Sequence, residues 1–118
     1  MQKAIVGAEL KPNQVFTQWE MESIHAALQL VFGEDPILPH WEFPILIGAS
    51  IEEGMEFLNN WPNVDIGADP EWFLIFGILG RLKGYPHKQN QRLYEATGLQ
   101  KENLKILLDK LRPLEPKT

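Results

Sequence analysis

A chain of 118 residues, 44% hydrophobic and without cysteine, can build one packed domain. It has no disulfides, thiolate metal sites or cysteine nucleophiles. Its net charge of −5 hides a division: residues 1–80 hold two cations (Lys3, Lys11) and twelve carboxylates, residues 81–118 nine cations and four carboxylates. Such asymmetry points to charged partners and says nothing about fold.

Residues 4–9 are apolar and weakly patterned, and they read as a short strand or arm. Glu9 and Lys11 interrupt the run too early for a secretory h-region. Lys11-Pro12-Asn13 is a turn. The first helix starts at Thr17, which has capping-box spacing to Glu20. Met21, Ile24, Leu28 and Val31 then recur at helical intervals, and Gly33 is a stop. Pro36, Pro39 and Pro44 predict irregular backbone across 34–44, with Trp41 and Phe43 inside it. Residues 45–48 are a candidate partner strand for 4–9.

Ser50 and Glu53 form a second capping box, and a helix is expected to about Trp61 with Ile51, Met55 and Leu58 inward. Gly54 costs that helix about 1 kcal/mol relative to alanine, so tertiary support is expected. Asp69-Pro70 reads as N-cap and N1 of a third helix, 70–83. Its residues are apolar almost all round, which marks the central helix of the domain. Gly77 and Gly80 are read as sites of close helix approach. Two further helices follow at 90–97 and 101–112, joined at Thr97-Gly98-Leu99. Leu104, Leu107, Leu108 and Leu111 form the inward stripe of the last one, and 113–118 is expected to fray, as is 1–2. The fold class that results is mainly α, one domain over 1–118. About five helices pack around helix 70–83, with one short strand pair (4–9, 45–48).

Two surfaces stand out as candidate sites. The first is acidic. Glu52, Glu53 and Glu56 share one helix, and Glu34, Asp35 and Glu42 flank the Pro-rich loop that carries Trp41. Carboxylates interleaved with aromatics suit a protein with a basic surface, whose encounter they steer. Small acidic immunity proteins and antitoxins are similar in composition, and the leading expectation is a protein-binding regulator or inhibitor of that kind. A solvated helix face gives the same pattern.

The second surface is basic. Leu93, Gly98, Leu99, Leu104 and Leu107 have the spacing of two helices packed across a tight turn, and residues 91–112 resemble a helix-turn-helix motif. That resemblance implies nucleic acid as the alternative partner. It would place Gln100, Lys101, Asn103 and Lys105 toward the nucleic acid and Lys88 and Arg92 on its backbone. Tyr94 stands where the motif carries a small residue.

Chemistry beyond binding finds little support. His25, His40 and His87 lack zinc-site spacing, and His40-Trp41-Glu42 has the H-x-E form without the cysteines of a zinc deaminase. Asn63, Asp65, Asp69 and Glu71 gather oxygens, but Ala68 and Leu74 stand where an EF-hand needs Gly and Glu. No nucleophile-elbow or phosphate-loop motif occurs. The reading is a non-enzyme without cofactor or metal. The longest apolar run, Trp72 to Gly80, is nine residues, against roughly 20 for a membrane span. A soluble cytoplasmic protein is therefore expected.

Overall fold

Helix starts in this chain are set by short polar signals, and the computed structural model shows them working. It describes residues 9–33, 36–37, 44, 48–84 and 90–116. Helix α1 spans Gln18–Phe32. Thr17 Oγ1 accepts the Glu20 N–H at 3.1 Å, and Glu20 Oε1 accepts the Thr17 N–H at 2.8 Å. Helix α2 spans Ile51–Asn60, and Ser50 and Glu53 exchange the same pair of bonds at 3.1 and 2.9 Å. Each box satisfies backbone donors that the first helical turn leaves open. At Gly33 a Cβ would meet the Gln29 carbonyl oxygen at 2.8 Å, so a side chain there would force the end of α1 to shift.

Helix α3 spans Glu71–Gly84, α4 spans Asn90–Thr97 and α5 spans Lys101–Leu111. Short 3-10 turns occupy Pro12–Gln14 and Arg112–Leu114, where Leu114 rests partly against the core. The architecture is mainly α. Helix α3 packs along α5, while α1 packs against both α2 and α4. Helix α1 thus packs on two helices, and the apolar α3 is buried along α5. Ile24, Leu28 and Val31 of α1 meet Ile75, Ile78, Leu79 and Leu82 of α3 and the leucine stripe of α5 in one buried cluster. The α3–α5 contact is also polar: Trp72 Nε1–H donates to the Leu111 carbonyl at 2.8 Å. Trp72 stacks on Phe76 with centroids 4.6 Å apart, and the Arg112 guanidinium lies over the Phe76 ring at 5.6 Å.

Several expectations need correction. On α2 Gly54 and Phe57 are buried and Ile51 and Leu58 pack partly buried against the core as expected, but Met55 is 39% exposed. A ten-residue helix with one buried seam aligns Gly54, Phe57 and the following Trp61, spaced by three and four, and Met55 falls outside it. Helix α3 starts one residue later than expected. Asp69 makes no side-chain hydrogen bond among the described residues, and the turn before α3 is organised by Asp65. Its Oδ1 accepts the Leu10 and Gly67 N–H groups at 3.0 and 3.1 Å. A Cβ at Gly80 would meet nothing within 4 Å, so close approach is not its role. Phe73 of α3 is 40% exposed. The strand pair 4–9 with 45–48 lies almost wholly outside the described residues; Glu9 and Gly48, the two members within them, are not in strands. No helix among the described residues is long and apolar enough to cross a membrane.

Candidate functional site

Of the acidic set, Glu52, Glu53 and Glu56 are described, and all three are exposed on α2. Helical geometry sorts them. Glu52, Met55, Glu56 and Asn59 follow at intervals of three, one and three, which is one exposed stripe. Met55 therefore sits beside two carboxylates as a partly exposed apolar residue. Glu53 is partly spent, because its Oε1 accepts the Ser50 N–H. Glu52 and Glu56 have no ion-pair or hydrogen-bond partner among the described residues. Lys11, the described cation of the acidic region, is engaged by Glu9 at 3.0 Å and by Asn63 Oδ1 at 2.7 Å.

Beside this stripe, α2 and the start of α3 enclose a recess of about 140 Å³. Glu53, Glu56 and Glu71 bring carboxylates to it, and Phe57, Val64 and Leu74 supply apolar walls. Sequence reasoning missed Met55 and Glu71. The i, i+3, i+7 spacing of Gly54, Phe57 and Trp61 was the signal for Met55; Glu71 joins through tertiary packing alone. Glu34, Asp35, Trp41 and Glu42 lie outside the described residues.

The basic set is dispersed by its own local bonds. Lys105 Nζ is held by Asp109 Oδ2 at 2.9 Å, and Asp109 Oδ1 also faces Arg112 at 3.4 Å. The Lys105 hydrogen bond, with Arg112 and Lys83 nearby, holds the Asp109 carboxyl below its ordinary pKa. Asn103 Oδ1 accepts the Gln100 N–H at 2.9 Å and so caps α5. Arg92 is partly buried, and Lys88 lies outside the described residues. Gln100 and Lys101 remain exposed, and both line a groove of about 460 Å³ between α4 and α5.

The turn that forms this groove is tightly specified. Gly98 has φ +78°, in the left-handed region that glycine tolerates. Its N–H donates to the Tyr94 carbonyl at 2.7 Å. Thr97 Oγ1–H donates to the Leu93 carbonyl at 2.7 Å and accepts the Leu99 N–H at 3.0 Å. Leu93, Leu99, Leu104 and Leu107 are all buried behind the turn. Tyr94, 48% exposed, lines the groove instead of wedging the two helices apart.

The oxygen-rich 63–71 loop is occupied by structure. Asn63 holds Lys11 and Asp65 holds two backbone donors. Among the described residues no three His, Cys, Asp or Glu side chains gather in a metal-binding arrangement. No protein-family model matches the chain, and no curated protein or solved structure matches it either.

Proposed function

We propose that the protein is a non-catalytic binding protein whose α2 face docks a basic protein surface. The observation that carries this reading is the exposed stripe of Glu52, Met55 and Glu56, in which two carboxylates without partners among the described residues lie beside a partly exposed methionine. A flexible, polarisable methionine adapts to the surface it meets and provides an apolar anchor. The carboxylates around it set orientation and speed encounter. The adjoining recess suits one lysine or arginine, whose aliphatic stem can lie on Phe57 and Leu74 while its charge reaches Glu53, Glu56 or Glu71. The class of protein is a regulator or inhibitor that acts by occupying its partner.

A photo-crosslinking amino acid in place of Met55 tests this. Irradiation in native lysate should capture a protein with a basic surface, and adding Glu52→Lys with Glu56→Lys should abolish capture. Capture that survives both charge reversals removes the acidic-face reading.

A further inference from the structure

A second cavity plays no part in the acidic-face reading. It is the α4–α5 groove, and its volume of about 460 Å³ falls within the roughly 300–1,000 Å³ of ligand sites. Its floor is apolar, made by the buried Leu93, Leu99 and Leu104. Tyr94 adds a half-exposed aromatic ring. Three amide side chains, Asn90, Gln91 and Gln100, line the same groove, and an amide can both donate and accept. Gln91 commits one N–H to Glu95 Oε2 at 2.9 Å, which leaves its carbonyl oxygen and second N–H for a ligand. Lys101 has no partner among the described residues, and Glu102 contributes a carboxylate.

We propose that this groove takes an unstacked nucleobase of a single-stranded nucleic acid, with Tyr94 as the stacking surface and Lys101 on the adjoining phosphate. The chemistry of the lining selects that occupant. Every base offers a flat π-face to an aromatic ring and an edge of mixed donors and acceptors to amides. Exposed amides around the groove favour a ligand with its own donors and acceptors over a wholly apolar one. One cation beside one carboxylate does not make a phosphate cradle, so the phosphate belongs at the rim with Lys101. Glu102 then suits an exocyclic amino group, which a carboxylate accepts well. A duplex keeps its bases stacked and out of reach of a groove.

Fluorescence anisotropy of the full chain with labelled oligonucleotides tests the proposal. The probes are a mixed-sequence single strand, its duplex, and an abasic strand of equal length, in about 50 mM salt, where phosphate contacts are strongest. The single strand should bind at least ten-fold tighter than the abasic strand or the duplex. Tyr94→Ala should weaken it about ten-fold or more, and Tyr94→Phe should keep it within a few-fold. Lys101→Ala should weaken it and lower the salt slope by about one unit. Circular dichroism melts of each variant separate lost binding from lost folding. If Tyr94→Ala unfolds, Gln100→Ala with Lys101→Ala serves in its place. Equal binding of the abasic strand, preference for the duplex, equal affinity for free nucleoside monophosphates, or no binding of any probe overturns the proposal. So does a Tyr94→Ala variant that folds and binds as tightly as wild type. The outcome is independent of the α2 face, since none of these residues lies on it.

Discussion

Glu20 and Lys110 meet across 90 positions of sequence: the ammonium donates to both carboxylate oxygens, at 2.7 and 2.9 Å. Glu20 is 8% exposed and also accepts the Thr17 N–H. One carboxylate thus caps the start of α1 and ties it to the end of α5. Burial works against the charged form. The hydrogen bonds from Lys110 and Thr17 outweigh it and hold the Glu20 pKa below its ordinary 4.5.

The sign of the pH dependence follows. A carboxylate with a depressed folded pKa adds stability above its unfolded value and loses it as pH falls through the folded one. Wild-type stability should therefore decline below about pH 4.5, and Glu20→Gln should flatten that part of the curve. At neutral pH Glu20→Gln should cost about 1–3 kcal/mol, since it breaks charged hydrogen bonds that are partly shielded. Urea melts from pH 3 to 7 check both statements.

At the α4–α5 turn, Gly98→Ala should destabilise by about 1–2 kcal/mol, because an L residue resists φ +78°. The new Cβ would also press on Trp19 Cζ2 at 3.3 Å. Adding Trp19→Ala removes the second effect and leaves the first. A double-mutant cycle in chemical denaturation should therefore show a coupling smaller than the total loss.

Two changes in α3 should act in opposite directions. Leu79 is 1% exposed, and Leu79→Ala should cost about 2–5 kcal/mol through lost burial and the cavity left behind. Gly80 has open space at its Cβ, and Gly80→Ala should stabilise by about 0.5–1 kcal/mol through helix propensity. Thermal melts of the two variants should move apart on either side of wild type.

What was legible in the sequence was what depends on neighbours in sequence. Thr17 with Glu20 and Ser50 with Glu53 announce their helices because a capping box spans four residues. The leucines of α5 show their stripe for the same reason, and Gly98 shows its turn. Glu20 was legible as a cap and illegible as an ion pair, since nothing local points to Lys110. Met55 was misplaced because it shares an i, i+4, i+7 spacing with Ile51 and Leu58, while the buried seam of α2 runs through Gly54 and Phe57. The carboxylates of α2 were visible at once. Their neighbour Glu71, and the groove around Tyr94, exist only after helices distant in sequence, or a turn, bring side chains together.

Charge reversal on α2 must spare the cap. Glu53 bonds the Ser50 N–H, so Glu53→Lys should cost about 0.5–2 kcal/mol of stability, whereas Glu56→Lys should cost less than about 0.5 kcal/mol. Differential scanning calorimetry separates the two and shows which variants are fit for binding work.

On the proposed function, Glu52 and Glu56, without partners among the described residues, steer a basic partner onto α2. The direct measurement is the association rate of the protein captured at Met55, followed by stopped flow from low to high salt. The Debye length falls from about 10 Å at 0.1 M to about 3 Å at 1 M. The wild-type rate should fall steeply over that range, and Glu52→Lys with Glu56→Lys should slow association at low salt and lose most of the salt dependence. A double variant that folds normally and associates at the wild-type rate, with the wild-type salt dependence, would contradict the claim.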